Sequence, residues 1–293
     1  MNAKHLRSLA IILFICMLAG LLAWAGSDGG GMHEVMERQV PVIVVCAVLA
    51  FAIQWLAFVP AFIFQTEHFY DLVGSITYLS VLAIAAYLGE GEGIRSTIIM
   101  TLIAIWALRL GSFLFVRISK DGADSRFEQI KPNFLRFLTA WTLQGLWVFV
   151  TISCALAALT ANQAVPLGLT GILGILLWVS GFCIECVADH QKRVFRRENK
   201  GQGAFIRTGL WAYSRHPNYL GEILLWIGIA VLALPALSGW QYATLISPVF
   251  VILLLTKVSG IPLLEASADK RWQGEPDYEH YKSSTPVLVP RLF

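Results

Sequence analysis

Eight apolar runs, over roughly residues 8–25, 40–64, 71–88, 95–117, 135–160, 166–187, 220–237 and 241–264, take up most of the 293 residues of this chain. A helix that crosses a bilayer needs about 20 mostly apolar residues at about 1.5 Å each, because inside hydrocarbon every backbone amide must find its hydrogen bond within the protein. The runs therefore predict an all-α fold, a polytopic transmembrane helical bundle of seven or eight spans. Composition closes off the alternatives. Of the residues 57% are hydrophobic and 14% charged, whereas an ordinary soluble domain carries about 25% charged. A disordered chain needs the opposite balance. Lys and Arg (22) exceed Asp and Glu (19) by only 3, so no nucleic-acid footprint is present. Cys16, Cys46, Cys154, Cys183 and Cys186 all fall in apolar runs and are odd in number, which argues against a disulfide framework. With no internal repeat or linker, the chain reads as one domain over 1–293.

The charges between the runs alternate in character and assign an orientation by the positive-inside rule. Lys4 and Arg7 begin inside. The 26–39 stretch sets Asp28, Glu34 and Glu37 against Arg38, and Glu90 and Glu92 face Arg95, so both loops read as external. The 117–136 loop carries Arg117, Lys120, Arg126, Lys131 and Arg136, and 188–219 carries Lys192, Arg193, Arg196, Arg197, Lys200, Arg207 and Arg215 against Asp189 and Glu198; both read as cytoplasmic. The short turn at 65–70 falls on that same face. The first run, preceded by Lys4 and Arg7 and ending at Ala23-Trp24-Ala25, also fits a cleaved signal peptide, which would leave seven spans and the same orientation downstream.

Polar groups at membrane depth are functional candidates by default, and the segment 185–226 is richest in them. If the sixth helix continues past its membrane exit, Glu185, Asp189, Lys192 or Arg193, and Arg196 recur at three- and four-residue spacing on one face. Deep carboxylates suit a carboxamide or ribose hydroxyls, and forked guanidiniums suit phosphate. The competing reading is a basic collar attracted to anionic lipid. In SRHPNYLGE, residues 214–222, Pro217 sets a helix start and Gly221 permits close approach, while Asn218, Tyr219 and Glu222 crowd the first turns with polar groups.

The run from Asp189 to Trp226, with its RHPNYLGE core, resembles the C-terminal signature of the steroid 5-alpha-reductase-like membrane oxidoreductases, in their bacterial-type branch. That superfamily also includes sterol reductases and, more distantly, isoprenylcysteine carboxyl methyltransferases. The likeness extends through VSGIPLLE at 258–265 and Pro276-Asp277-Tyr278 to Pro286. It implies an NADPH-dependent reductase that reduces a conjugated C=C of a hydrophobic, steroid- or isoprenoid-like lipid substrate within the bilayer, with the cofactor entering from the cytoplasmic side and bound in the region 185–293. Carried onto this sequence it gives Asp189, Arg196, Arg207, Tyr213, Asn218 and Glu222 to the cofactor. Glu185 and the membrane-depth Arg109 join them as candidates for ribose and phosphate. It also implies a Gln-Glu pair after a Pro-Ala-Phe stretch that polarises the substrate carbonyl. Here Pro60-Ala61-Phe62 is followed by Gln65, but the acid, Glu67, comes one residue late, a rotation of about 100° on a helix; Tyr70 is the third candidate. Trp106 stands where the family has a tyrosine.

Two alternatives remain at this level. An S-adenosylmethionine-dependent methyltransferase would share the RHPNYLGE-type turn, although a sulfonium cofactor gives no reason for seven basic residues in 188–219. A non-catalytic lipid-binding membrane protein would share the fold alone. Metal is not expected: Cys183 and Cys186 form a lone CxxC in an apolar helix, and the six histidines form no ligand-spaced pair. Gly201-Gln202-Gly203 is too short to indicate a Rossmann turn.

Overall fold

The computed structural model describes residues 3–35, 37–89, 91, 93–121, 125–162, 164–201 and 203–291, with side chains for all of these but 3, 116–121, 125 and 126. Glu90, Glu92 and Gln202 lie outside the described residues, as do the side chains of Arg117, Lys120 and Arg126. In chain order the elements are α1 (Ala3–Gly26), β1 (Met32–Val35), β2 (Arg38–Pro41), α2 (Val42–Ile63), α3 (Tyr70–Leu88), α4 (Ile94–Asp121), α5 (Ser125–Glu128), α6 (Phe134–Leu159), α7 (Gly168–Glu198), α8 (Pro217–Ala233), α9 (Ile246–Leu253), α10 (Ile261–Trp272) and α11 (Pro276–Ser284). Among the described residues, eight helical stretches are long and apolar enough to cross a membrane, the last running through Gly239–Trp272. The protein is an all-α, multi-pass membrane protein. One feature was absent from the hydrophobic pattern: β1 and β2 pair antiparallel, Met32 with Pro41 through Val35 with Arg38, in a hairpin whose turn holds Glu37 at φ 64°.

The chain divides into two compact units, one formed by residues 1–168 and 232–247, the other by 169–231 and 248–293. In the first, α6 is the most enclosed helix. Phe137, Trp141, Phe149, Ile152 and Leu156 are fully buried on it, and Ala155, Ala157 and Ala158 let neighbours approach closely. Its polar groups bind outward: Thr142 accepts from the Trp55 indole at 3.1 Å, and the Ser153 hydroxyl donates to the Thr244 carbonyl at 3.0 Å. Between α2 and α3, Gln54 donates to Thr77 at 2.8 Å. Such bonds contribute about 0.6–2 kcal/mol each in a bilayer. At the other end of the unit, Asp28 accepts the Trp240 backbone N–H at 2.7 Å and Trp24 packs on the Trp240 ring, which ties the end of α1 to the 239–245 turn.

Arg95, counted by sequence among the external loop charges, is 4% exposed. Its guanidinium donates to the carbonyls of Pro166 at 2.6 Å, Leu167 at 2.5 Å, Leu232 at 2.6 Å and Val165 at 3.4 Å. A planar fork of five donors can satisfy several carbonyls at once, which an ammonium cannot do with the same geometry.

In the second unit α7 continues without a break for 31 residues, to Glu198, so it extends about 15 Å beyond a 20-residue span. It meets α8 backbone to backbone. A Cβ on Gly181 would stand 2.5 Å from the Gly221 carbonyl oxygen, one on Gly221 would stand 2.6 Å from the Glu185 nitrogen, and one on Gly228 would stand 2.7 Å from the Trp178 nitrogen. The two nearest atoms at each position are backbone, and backbone cannot give way. Gly221→Val is therefore expected to cost about 1–3 kcal/mol as an overpacking substitution and to shorten the thermal half-life of the detergent-purified protein. Gly20→Ala, where an added Cβ meets nothing within 4 Å, should leave it unchanged or lengthened; equal half-lives for both variants would refute the close contact.

Candidate functional site

The second unit gathers most of the polar segment. Along the emerging face of α7, Glu185 is buried, Asp189 and Lys192 are half-buried, and Arg193 and Arg196 are exposed. One continuous helix thus carries acids deep and guanidiniums shallow. After α7 the chain reverses through Gly201 and Gly203, both at positive φ, and folds back as a single 3-10 turn, Gly209–Ala212. Two bonds dock that turn on α7: the Trp211 indole donates to the Ala188 carbonyl at 3.0 Å, and the Leu210 N–H donates to Gln191 at 3.0 Å. Lys192 lies 4.4 Å over the Trp211 ring.

α8 begins at Pro217, whose ring disfavours helical geometry for the residue before it. That residue, His216, is 5% exposed, and its Nε2 lies 2.7 Å from Glu265 Oε1. Arg215 Nη1 donates to the other oxygen of Glu265 at 2.6 Å, so one carboxylate of α10 holds both side chains. The Tyr219 ring stacks on His216 with centroids 5.8 Å apart. With Nε2–H donating to a carboxylate, Nδ1 is left as a lone-pair acceptor, and it is buried with no hydrogen-bond partner; the same is true of Asn218 Oδ1 two residues on. Burial lowers the His216 pKa, and the hydrogen bond and charge of Glu265 oppose the shift without cancelling it. A lowered value favours the neutral imidazole at pH 7.

Around this turn α10, α11 and the tail close by local bonds. The Tyr281 hydroxyl, pushed up to about 12 chiefly by burial, donates to the Trp211 carbonyl at 2.7 Å. Lys282 donates to Asp269 at 2.5 Å, as does Tyr278 at 2.8 Å, and the Arg215 N–H reaches the Pro286 carbonyl at 2.9 Å. Among the other residues expected to hold a cofactor, Glu222 is half-buried one helical turn after Asn218. Arg207 is exposed and paired with Asp277 at 2.8 Å, and Tyr213 is 66% exposed. Arg109 lies in the first unit, on α4, with its guanidinium over Phe113 at 5.6 Å.

The other three candidates also lie in the first unit. α2 contains Pro60 and stops at Ile63; Gln65 then takes φ 50°, and its amide donates to the Phe62 carbonyl at 2.6 Å, exposed to solvent. Residues 64–69 are not helical, so the late position of Glu67 is not a helical rotation but a displacement absorbed by a turn. Glu67 is 3% exposed and accepts from Lys131 Nζ at 2.5 Å. Tyr70 opens α3; its N–H donates to the Glu67 carbonyl at 2.9 Å and its hydroxyl to the Ala140 carbonyl at 2.9 Å. Its ring packs edge-on against Phe127 and Trp141. Glu67 and Tyr70 are thus brought together, whereas Gln65 is turned away. Trp106 is buried edge-on against Tyr78. Among the described residues no group of three or more His, Cys, Asp and Glu side chains is placed to hold a metal ion.

Four residues of these two clusters escaped sequence reasoning as site members. Glu265 entered only as the last residue of the VSGIPLLE stretch, His216 and Arg215 only as parts of a turn and a basic loop, and Lys131 only as a loop charge. Their partners lie 49, 50 and 64 residues away in sequence.

A family model described as protein of unknown function (DUF1295) matches residues 57–285. The chain belongs to that family. Its curated relatives include 3-oxo-5-alpha-steroid 4-dehydrogenase 1 of Rattus norvegicus, 28% identical over 119 residues, 41% of this chain and 40% of the relative. The Bos taurus protein of the same name is 29% identical over 121 residues, 41% and 42% of the two chains, and steroid 5-alpha-reductase DET2 of Arabidopsis thaliana is 24% identical over 122 residues, 42% of each. The match spans about two fifths of the length of each of these relatives. No solved structure matches the chain. The DUF1295 chain is thus steroid 5-alpha-reductase-like at low identity, as the RHPNYLGE core indicated.

The His216 cluster carries a pH signature. A histidine whose pKa is lowered in the folded state binds its proton later than the unfolded chain does, so stability falls as pH drops through the ordinary imidazole value of about 6.5. The thermal half-life in detergent should therefore shorten between pH 7 and pH 5, and His216→Phe should remove that part of the slope. An unchanged slope in the variant would show that the dependence arises elsewhere.

Proposed function

We propose that this protein is a membrane-embedded, NADPH-dependent reductase that transfers a hydride to a conjugated C=C of a hydrophobic steroid- or isoprenoid-like substrate, with the cofactor held on the cytoplasmic face. The observation that carries the reading is the surface formed by α7 and the start of α8. There, acids grade into guanidiniums along one helix face, beside a helix N-terminus that holds two buried acceptors without partners. This donor and acceptor set fits a nicotinamide dinucleotide. Asn218 Oδ1 and His216 Nδ1 can accept from a carboxamide or from ribose hydroxyls. Asp189, Glu185 and Glu222 add acceptors for hydroxyls, and Arg196 with its neighbours suits phosphates. Arg207 is tied to Asp277 only by an exposed pair worth under about 1 kcal/mol, so an anion can recruit it at little cost. NADPH, when bound, supplies the hydride.

The names of the relatives support an oxidoreductase and direct attention to 3-oxo-4-ene steroids. Glu67 and Tyr70, whose ring packs on the aromatic cluster of Phe58, Phe127, Phe137 and Trp141, mark the region of the chain we assign to the carbonyl end of such a substrate. The basic residues support NADPH over S-adenosylmethionine: the seven in 188–219 have phosphates to meet in the first and none in the second.

Calorimetry on detergent-purified protein with NADPH, NADH and S-adenosylmethionine tests the reading. NADPH should bind, and Arg196→Ala should weaken it about ten- to a hundredfold, as expected for one charge-assisted bond of about 1.5–3 kcal/mol. The preference over NADH should narrow in parallel. Binding of S-adenosylmethionine alone would transfer the site to methyl transfer.

A further inference from the structure

α1 and α2 do not close on each other along their whole length. At the hairpin end they are pinned: a Cβ on Gly26 would stand 2.5 Å from Ile43 Cδ1, and Asp28 and Trp24 tie the end of α1 to the 239–245 turn. Six residues back along α1, a Cβ on Gly20 would meet nothing within 4 Å. There the two helices enclose a groove of about 410 Å³. Its floor is buried at Ala19, Ala23 and Ala47, and its rim is exposed at Gly20, Trp24 and Val48. Voids larger than a water molecule are few in a packed protein. The side chains around this one are almost all apolar, and their polar atoms are spent: the Ser27 hydroxyl donates to the Trp24 carbonyl at 2.7 Å, and the Trp55 indole donates to Thr142 at 3.1 Å.

The length of the groove matches one leaflet. From Ser27 to Cys16 on α1 and from Pro41 to Trp55 on α2 its lining runs for about 16–21 Å at about 1.5 Å per residue, against about 15 Å for half of a hydrocarbon core of about 30 Å. The hairpin end lies at the interface, because Trp24, Trp240 and Tyr242 are exposed there in the manner of an aromatic belt. Spread along that length, the volume gives a mean cross-section of roughly 20–25 Å². That is the width of one extended hydrocarbon chain. A helix with its side chains is about 10–12 Å across, a cross-section of about 80–110 Å², and a fused-ring lipid is also broader than a single chain. Neither a helix of a second copy nor a sterol skeleton fits within the groove.

We propose that this groove is a phospholipid site. One acyl chain of a phospholipid in the leaflet on the hairpin side lies along it, from Ser27 and Pro41 to Cys16 and Trp55, and the head group stays outside at the level of Trp24. The chain fills the space that the small side chains of α1 and α2 leave between them, and so supplies the dispersion contacts that the two helices do not make with each other. The site is independent of the reductase reading. Every lining residue lies before residue 57, where the family match begins, and all of them belong to the first unit.

The test uses the full chain in nanodiscs of palmitoyl-oleoyl phosphatidylcholine, a small fraction of which carries a diazirine midway along one acyl chain. After irradiation, peptide mapping should place adducts on the groove lining around Gly20 and Val48. Their yield per residue should exceed at least fivefold that at Leu13, Met17 and Leu21, which are exposed on α1 outside the groove. Gly20→Trp, which puts an indole into open space, should lower the groove adducts at least fivefold, whereas Leu13→Trp should leave them unchanged. Val48→Trp plugs the groove from the opposite rim and should repeat the loss, so the outcome does not hang on the folding of one variant. Equal adduct yields inside and outside the groove would mean ordinary boundary lipid and would overturn the proposal. So would groove adducts that survive both plugs, a dimer cross-linked through 16–27 whose groove takes no label, or displacement of the labelled chain by 4-androstene-3,17-dione. An intact mass lacking residues 1–25 would overturn it as well, because α1 would then be absent from the mature protein.

Discussion

Hydrocarbon offers no partner to a polar group, and the rest of this structure follows from how the chain answers that. Inside the first unit several deep polar side chains are answered by a named atom: Gln54 by Thr77, Thr142 by Trp55, Ser153 by the Thr244 carbonyl, Ser247 by the Thr151 carbonyl. Arg95 is the extreme case, with four carbonyls around one guanidinium. A net gain of about 1 kcal/mol per bond is small, whereas an unpaired buried charge is destabilising by about 3–5 kcal/mol. These bonds act mainly by excluding other packings. The 165–167 segment and Leu232 are held where the guanidinium can reach both.

In the second unit the same constraint shapes the contact of α7 with α8. Gly181 and Gly221 let α7 and α8 touch along their backbones, which brings the Glu185 face of one helix against the first turns of the other. Glu265 satisfies Arg215 and the Nε2 side of His216, and Tyr278, Tyr281 and Lys282 are all bonded. At the start of α8 two buried acceptors without hydrogen-bond partners, His216 Nδ1 and Asn218 Oδ1, stand two residues apart beside a helix N-terminus and call for a cause. A ligand with N–H or O–H donors is such a cause, and it would bind where the α8 N-terminus also favours an anion.

The extent of each helix was legible because span length is a local property. The apolar run at 220–237, for example, became α8 with its start set at Pro217 by proline geometry, and α7 continued to Glu198 because nothing between 188 and 198 breaks a helix. Pairings were not legible. The ladder of β1 and β2 has no alternating apolar signal, since only its backbone bonds hold it. Arg95 looked like an external loop charge because its four acceptors are carbonyls, which sequence does not display. Lys131 looked like one more positive-inside residue, yet the turn that delivers Glu67 depends on Pro60 ending α2 and on Gln65 entering the left-handed region.

The two clusters are electrostatic opposites, and the contrast follows from which base meets which acid. Glu67 meets an ammonium, so the pair is neutral overall and keeps donors to spare. Glu265 meets a guanidinium and an imidazole; it takes the Nε2 proton side of His216 and leaves Nδ1 as an acceptor. In a hydride transfer to an enone the substrate oxygen gains negative charge and the hydride donor loses it. A methyl transfer from a sulfonium would place its charge change on a cation and gain little from an ammonium at the acceptor end. Each cluster is thus defined by what its acid leaves over: hydrogen-bond donors beside Glu67, an acceptor beside Glu265.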